Sequence, residues 1–352
     1  MLSSTLRRKT DLVKLVAASA VCAYNSADDL KTPSAPSAAC EASKARTQSQ
    51  SQSINDHQKE YYYPASWIRR TLKASIGVPL PLPRVLNRND PALKLSQRHI
   101  QRRSRDEQIV RSLLEQAPQY RDQPDKIREL HEKICQVTFG KGVDAQTRED
   151  FLVRYGCTGW NDQILNYLVD LCQDRGIVEI GAGHGQWARA LMEAFDRQQQ
   201  QQSQSQKEAP LKKKKKFDFV LAYDDMSSLP LNTHIYNPYT QPHHDYFGNV
   251  QKLEIENTAR LLQSWSCRGR ALLLVYPSPG DMAINVVRTY VEAAKENDLV
   301  IYVGEGRGGA NGSDELFDFF ENSGDWILIN VLPVRKPPGD KGHEQLFILQ
   351  HK

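Results

Sequence analysis

The sequence lacks the features that mark several classes of protein. It has no run of about 18 or more apolar residues, as a membrane-spanning helix requires, so we expect no membrane partner. Its 6 cysteines are scattered without a Cys-x-x-Cys pair, which excludes an evident disulfide framework or zinc site and favours a reducing, intracellular compartment. A net charge of +4 is too small to indicate a nucleic-acid partner.

The first part of the chain, residues 1–58, is rich in Ser, Ala, Thr and Gln and contains few acidic residues. Such a segment buries too little apolar surface to offset the entropy lost on ordering, so we expect a disordered tail. Arg7, Arg8 and Lys9 also fit an organelle transit peptide. Both interpretations stay open, and with them a cytoplasmic or an organellar location.

Residues 59–158 are predicted to form a basic extension that ends in helices. An aromatic cluster, YYYPASW, precedes Arg69, Arg70 and Lys73, which fits either a binding surface or an arm docked on the main domain. Apolar residues at helical spacing then predict two amphipathic helices within about 106–136.

Residues 159–352 alternate between strand and helix patterns, which is typical of a mostly parallel sheet wrapped by helices. Apolar runs predict strands at 177–180, 217–223, 271–276, 299–303, 326–332 and 345–349, with a weaker one at 250–253. Helical spacing predicts helices at 162–171, 186–197, 255–265, 281–295 and 313–321. A loop too short for a crossover helix joins the last two strands, so they should pair antiparallel. The sequence therefore predicts a doubly wound α/β domain with a seven-stranded, mostly parallel sheet.

A low-complexity insertion interrupts this domain at residues 198–216. It consists of a Gln/Ser tract followed by five consecutive lysines, residues 212–216. The lysines fit a polyanion-binding or nuclear-import patch, or a solvated loop. We favour the solvated loop, which is the common fate of a charge run inside a Gln-rich segment.

Three glycines follow the predicted strand 177–180 at alternate positions: Gly181, Gly183 and Gly185. A strand that ends in glycines and turns into a helix brings backbone N–H groups and the positive end of the helix dipole to one spot, which suits a nucleotide-like ligand. A dinucleotide fingerprint would have its last glycine where Gln186 stands. The alternative is a tight turn that binds nothing.

With Glu179 included, the string EIGAGHG closely resembles the first motif of the class I S-adenosylmethionine-dependent methyltransferases. The resemblance covers about residues 160–352 and implies a Rossmann-like methyltransferase fold, whose last strand inserts between its neighbours. It implies S-adenosyl-L-methionine as the cofactor and places Glu179 near its methionine end. It also implies that the cofactor passes close to the small residues of the loop, which are Gly181, Ala182, Gly183 and Gly185.

In that family an acidic residue after the second strand hydrogen-bonds the ribose hydroxyls. Here the predicted strand 217–223 runs into Asp224 and Asp225. The number of residues between Gly181 and these aspartates agrees with the analogous rule for dinucleotide-binding folds once the insertion is subtracted. The resemblance therefore implies that Asp224 binds the ribose, with Asp225 as the second choice. More loosely, the strings IVEIGAGHGQWA, AYD and IYVGEG resemble a poorly characterised methyltransferase-like group, which names no acceptor.

Two later loops are candidates for the chemistry, because ligands of such sheets bind beyond the carboxyl ends of the strands. Tyr276 begins the loop YPSPG, which resembles the Asn/Asp-Pro-Pro-aromatic loop of amino-group methyltransferases but differs at three positions. We count Tyr276 as a catalytic and a cofactor-binding candidate, with a prolyl turn that shapes the pocket as the alternative. Glu305 stands in a glycine-rich loop, 304–312, that suggests a mobile lid or close ligand contact. Its carboxylate would orient a substrate amine or hydroxyl, or act as a base; a flexible solvated loop is the alternative.

A further loop, residues 232–246, carries histidines and tyrosines that suit the lining of a substrate or adenine pocket. The histidines lack the spacing that aims ligands at one point, so we predict no metal site.

Three functions compete. The first is a methyltransferase that uses S-adenosylmethionine and acts on an unknown small-molecule or protein acceptor. The second is a catalytically silent, methyltransferase-like binding scaffold, motivated by the altered loop at Tyr276. The third is an NAD-dependent oxidoreductase on a related sheet, against which Gln186 and the lack of a Tyr-x-x-x-Lys pair after the fourth strand both count.

Overall fold

The computed structural model of the protein describes residues 83–205, 218–226 and 250–352. The strands in these ranges are β1 (Arg84–Val85), β2 (Ile177–Ile180), β3 (Val220–Asp224), β4 (Gln251–Lys252), β5 (Ala271–Val275), β6 (Leu299–Gly304), β7 (Trp326–Pro333) and β8 (Gln345–His351). The α-helices are α1 (Gln97–Gln116), α2 (Pro124–Phe139), α3 (Ala145–Tyr155), α4 (Asp162–Cys172), α5 (Gln186–Ser205), α6 (Thr258–Leu262), α7 (Met282–Ala293) and α8 (Asp314–Asn322). The predicted tail, the aromatic cluster, the lysine run and the histidine-containing loop lie outside the described residues.

The strands form one mixed sheet in the order β1-β7-β8-β6-β5-β2-β3-β4. All pairings among β2, β3, β4, β5 and β6 are parallel, whereas β8 lies antiparallel between β6 and β7. This is the inserted last strand that the resemblance implied. The predicted number of seven strands is wrong: the described chain has eight, because β1 pairs with the outer edge of β7. No alternating pattern marks β1, which has two residues and follows a proline-rich stretch.

Helices cover both faces of the sheet, as the doubly wound pattern predicted. On one face α4 and α5 bury apolar side chains, including Leu168 and Leu191. On the other face α7 and α8 do the same, with Val287 among the buried residues. Ile177 and Val178 of β2 belong to opposite clusters, because neighbouring side chains of a strand point to opposite faces. The alternating direction of its side chains therefore divides the residues of β2 between the two cores.

The N-terminal extension folds into three helices, one more than the sequence predicted. α1 and α2 share a small core that includes Val110 and Ile127. The sequence did not predict α3, because its apolar residues are too few to set a helical period. α3 begins after Asp144, whose side chain accepts the Thr147 N–H at 2.7 Å, and ends before Gly156, whose φ is 76°. No helix in the described part of the chain is long and apolar enough to cross a membrane.

α5 extends beyond its predicted end at residue 197 and runs through the glutamine tract to Ser205. Glutamine is a good helix former, and the tract contains no Gly or Pro that would end the helix. The insertion predicted at 198–216 therefore begins within a helix, and its later part lies outside the described residues.

Arg270 ties together the amino ends of β3 and β5. Its side chain is 7% exposed and donates to the carbonyls of Ser266 at 2.6 Å, Asp218 at 2.8 Å and Phe219 at 3.2 Å. Its own carbonyl accepts the Tyr290 hydroxyl at 2.5 Å. A guanidinium suits this position because its several donors satisfy carbonyls from different parts of the chain at once.

Replacing Arg270 by Ala should lower the free energy of unfolding by about 2–4 kcal/mol, because buried carbonyls lose their donor. Urea denaturation followed by circular dichroism measures this change. Arg260→Ala, at an exposed position of α6, is the matched control and should change stability by less than about 0.5 kcal/mol. Equal stability of the two variants would contradict this role of Arg270.

Candidate functional site

The carboxyl ends of β2, β3, β5 and β6 lie at one edge of the sheet, because these strands are parallel. The glycine loop 181–185, Asp224, Tyr276 and Glu305 stand at these ends. The sheet thus brings to one edge the candidates that the sequence holds in four separate stretches. They form two groups, one at the ends of β2 and β3 and the other at the ends of β5 and β6.

The glycine loop connects β2 to α5 through three left-handed residues. The φ angles of Gly181, Gly183 and Gly185 are 75°, 55° and 79°. Residues with a Cβ rarely adopt such angles, so the backbone requires these glycines even without a ligand. The amides of Gly181 and Ala182 donate to the Tyr223 carbonyl at 2.9 and 3.0 Å, which holds the loop to β3. The turn alone explains the glycine spacing, and support for a ligand has to come from the neighbouring side chains.

Asp224, the last residue of β3, connects that strand to the loop. Its Oδ2 accepts the Gly183 N–H and its Oδ1 accepts the Met226 N–H, each at 2.8 Å. Burial raises the pKa of the Asp224 carboxyl, these two N–H donors lower it, and the neighbouring Asp225 raises it. A carboxylate has about four acceptor positions, so about two remain for hydroxyl groups of a ligand. Asp225, the second choice for the ribose, lies half-buried beside it.

Glu179 lies two residues before the loop and is almost completely buried, with 1% exposure. Burial, and then the charge of Asp224, raise the pKa of Glu179 to about 8. The Ala188 amide opposes this shift, but no donor among the described residues makes a hydrogen bond of ordinary geometry to either carboxyl oxygen. A buried polar group without a partner costs free energy, so Glu179 is the natural contact for a polar or cationic group of a ligand.

The start of α5 packs against the N-terminal extension. Gln186 donates from Nε2 to the Leu152 carbonyl at 3.3 Å, and Trp187 donates from Nε1 to the Thr158 carbonyl at 2.9 Å. A glycine at position 186, as in a dinucleotide fingerprint, would lose the first contact. The sequence did not predict that α3 covers this end of the site, because no local pattern encodes the contact.

Tyr276 follows β5 with a φ of 50°, a left-handed angle that a residue with a Cβ adopts when its surroundings impose it. Its N–H donates to the Val303 carbonyl at 2.7 Å, which fixes the turn against β6. The residue is half-buried and lines a cavity of about 140 Å³. This placement suits a residue that contacts a bound molecule, and it also fits the prolyl turn.

Glu305 follows β6, and its carboxylate is held by the protein's own backbone. Oε2 accepts the Ala310 N–H at 2.6 Å, and Oε1 accepts the His343 N–H at 3.2 Å. The Arg103 guanidinium lies 3.9 Å from Oε2. Glu305 is 5% exposed and lines the same cavity as Tyr276.

The glycine-rich loop 304–312 packs on the segment that precedes α1. The Leu95 N–H donates to the Arg307 carbonyl at 3.0 Å, and the Arg307 N–H donates to the Leu93 carbonyl at 2.6 Å. A Cβ on Gly306 would lie 2.6 Å from the Leu93 carbonyl oxygen. The expected close contact with a ligand is therefore wrong at Gly306, because the protein's own backbone occupies that side. The mobile lid stays a prediction.

The cavity at the ends of β5 and β6 is covered by the N-terminal extension and the loop between β7 and β8. Besides Tyr276 and Glu305, it is lined by charged residues of α1, by Arg148 of α3 and by Glu344 just before β8. The sequence assigned no site residue to these regions. In the sequence, the arginine-rich start of α1 is the one local indication of a site there. The position of α1, α3 and the segment before β8 together over the sheet depends on tertiary packing.

The histidine-containing loop 232–246 lies outside the described residues, so its role in lining a pocket stays a prediction. In residues 83–205, 218–226 and 250–352, no group of three or more His, Cys, Asp or Glu side chains is arranged to hold a metal ion.

Comparison with known proteins gives little beyond this geometry. No family model and no curated protein matches the chain. Among solved structures 17 chains match. One of them is the mitomycin 7-O-methyltransferase MmcR, which is 12% identical over 87% of this chain and 99% of its own, with a TM-score of 0.28. A TM-score that low does not establish a shared fold.

Glu179 should make the stability of the protein depend on pH. Its folded-state pKa is raised from 4.5 to about 8, so the folded protein holds a proton that the unfolded chain loses between these values. The contribution of this group to stability is therefore present at low pH and declines as the pH rises through that window. Glu179→Gln cannot ionise and should be more stable than the wild type by more than about 1 kcal/mol at pH 8.5.

Urea denaturation at pH 5.5 and 8.5 measures this difference. Glu193→Gln, at an exposed position of the following helix α5, is the control and should follow the wild type at both pH values. The assignment is wrong if the wild type and Glu179→Gln differ by the same amount at both.

Proposed function

We propose that the protein binds S-adenosyl-L-methionine at the carboxyl edge of its sheet and transfers the methyl group to an acceptor. The observation that carries this proposal is the Asp224 carboxylate, hydrogen-bonded at 2.8 Å to the amide of Gly183 beside the buried Glu179. The order of the strands supports it, because β8 lies between β6 and β7 as in the methyltransferase sheet that the sequence resembles.

The residues at the ends of β2 and β3 suit the chemical groups of this cofactor. Glu179 offers two carboxyl oxygens that accept no hydrogen bond of ordinary geometry from residues 83–205, 218–226 and 250–352, and an approaching cation would favour their ionised form. Asp224 keeps acceptor capacity for hydroxyl groups after binding two backbone amides. Glu179 would therefore hold the positively charged methionine end, and Asp224 the ribose.

When bound, S-adenosylmethionine supplies a methyl group on a positively charged sulfur, which a nucleophile can displace. The contribution of this chain is chiefly to position the acceptor and to exclude water. Tyr276 and Glu305 stand at the next two strand ends and line one cavity, so they are the residues that would orient the acceptor. The helices over the cavity would shield it from solvent.

Asp224→Asn tests the cofactor assignment. Asparagine has one side-chain oxygen instead of two, so it cannot accept from both backbone amides and from ribose hydroxyls as Asp224 can. We expect the affinity for S-adenosylmethionine to fall about 10-fold or more, which calorimetry measures and which corresponds to about 1.4 kcal/mol. Asp174→Asn, an exposed position before β2 at the opposite edge, should bind as the wild type does.

Two results would change the assignment. A loss of affinity in Asp225→Asn alone would transfer the ribose role to Asp225. Absence of S-adenosylmethionine binding to the wild-type protein at millimolar concentration would remove the proposal altogether.

A catalytically silent binding protein is the second candidate, and the contacts of Glu305 favour it. Both oxygens of this side chain accept backbone amides of the same chain, so its contacts in the structure are those of a structural anchor. Cofactor binding without a methylated product across a broad acceptor panel would support this candidate. Detection by mass spectrometry of one product that depends on the protein would exclude it. An NAD-dependent oxidoreductase is disfavoured, because Gln186 stands where its third glycine would be and uses its side chain to contact the Leu152 carbonyl.

A further inference from the structure

The cavity beneath α1 is lined by three residues that each have a buried polar atom without a partner among the described residues. The atoms are Nη1 of Arg148, Oε2 of Glu344 and Oγ1 of Thr138, all buried and all belonging to residues that line the cavity. Buried polar groups in proteins are nearly always hydrogen-bonded, because an unmade bond leaves the desolvation cost uncompensated. The residues around this one cavity therefore include buried donors and acceptors that make no hydrogen bond within the described chain.

Most other charged residues around the cavity are paired with each other. Arg102 contacts Asp340 at 2.7 Å and Arg103 contacts Glu107 at 3.0 Å. Lys341 pairs with Asp106, which connects the loop between β7 and β8 to α1. The charges of these residues are therefore compensated by neighbouring side chains.

Arg148 and Glu344 differ from these pairs. They are 8% and 3% exposed, and no ion pair within 4.0 Å joins either of them to an opposite charge in the described chain. The Arg148 guanidinium lies over the rings of Phe139 and Phe151, 5.1 and 5.7 Å from their centroids, which compensates part of its charge but none of its N–H donors. Two residues of opposite charge in the lining of the same cavity thus each have a buried polar atom without a hydrogen bond in the described chain.

Burial, followed by the charge of Glu305, raises the pKa of Glu344 to about 7, while its own backbone amide and then Arg148 and Lys336 lower it. The group therefore changes its charge near neutral pH. A cationic N–H group placed against it would favour the ionised form.

The remaining walls are apolar, and they limit the size of a ligand. Leu95, Val110, Val137, Phe139 and Pro337 contribute to the lining of a space of about 140 Å³. A cavity of about 150 Å³ holds a benzene molecule, so a ligand of roughly six to ten non-hydrogen atoms fits. Its body should be apolar, because a polar one would meet these walls without partners.

We propose that this cavity is the acceptor site and that it binds a small zwitterion with a short apolar body, its carboxylate at Arg148 and its ammonium at Glu344. Amino acids and their ω-amino analogues belong to this class. The identification as an acceptor site rests on the proposed methyl transfer, whereas the binding of the zwitterion does not.

Wild-type protein alone provides the first test. The affinities of glycine, 3-aminopropanoate, 4-aminobutyrate, 5-aminopentanoate, valine and proline are measured at pH 7.5 by ligand-observed NMR titration, alongside butyrate and butylamine. We expect at least one zwitterion to bind 10-fold or more tightly than both single-charge compounds, because it alone satisfies both ends of the cavity. Equal affinity, or no detectable binding of any zwitterion, overturns the proposal. The length series also shows which separation of charges the cavity accepts.

Two variants then assign the ends of the ligand. Glu344→Gln should weaken the best zwitterion 10-fold or more and leave butyrate unchanged, whereas Arg148→Gln should weaken both. Glu129→Gln and Arg128→Gln, at exposed positions of α2, are the matched controls and should change neither. Equal loss in the controls, or no loss in either cavity variant, contradicts the proposal. Thermal unfolding shows whether each variant is folded. If neither cavity variant folds, the comparison of zwitterions with single-charge compounds on the wild-type protein decides whether the proposal holds.

Calorimetry with S-adenosylmethionine on the same wild-type protein separates this inference from the proposed function. Zwitterion binding without S-adenosylmethionine binding leaves the cavity assignment valid and removes methyl transfer. S-adenosylmethionine binding without any zwitterion binding leaves the proposed function valid and removes this inference.

Discussion

The hydrogen bond between the Asp224 carboxylate and the Gly183 amide is the contact on which the interpretation of this protein depends. It joins the ends of two parallel strands and fixes the position of a loop that has left-handed backbone angles at three places. Because the carboxylate still has acceptor capacity, the same residue both shapes the loop and offers a contact to a ligand. Glu179 is buried behind it, and its carboxyl oxygens make no hydrogen bond of ordinary geometry to any residue that the structure describes.

The N-terminal extension completes this edge. α3 covers the start of α5 through the contact between Leu152 and Gln186. α1 lies over the ends of β5 and β6, where ion pairs such as Arg102–Asp340 connect it to the loop before β8. The extension is therefore part of the site, because it supplies walls to the cavity that Tyr276 and Glu305 line.

The glycines of the two loops have different physical reasons. In the first loop the backbone angles require glycine whether or not a ligand approaches, so spacing alone is weaker evidence for a cofactor than the adjacent carboxylates. In the second loop Gly306 makes room for the Leu93 carbonyl of the same chain. A glycine in a sequence shows that a Cβ is excluded, but the residue that excludes it becomes known only from the fold.

The sequence by itself determined the alternation of strands and helices, the buried strands such as Ile177–Ile180, and the placement of Asp224 at a strand end. These features are local: they depend on hydrophobic period, turn residues and spacing along the chain. Tertiary structure alone decided that β1 joins the sheet, and that Arg148 and Glu344 meet Glu305 in one cavity. These contacts join residues far apart in the chain, and no periodicity records them, because each arises from the packing of complete helices and strands against one another.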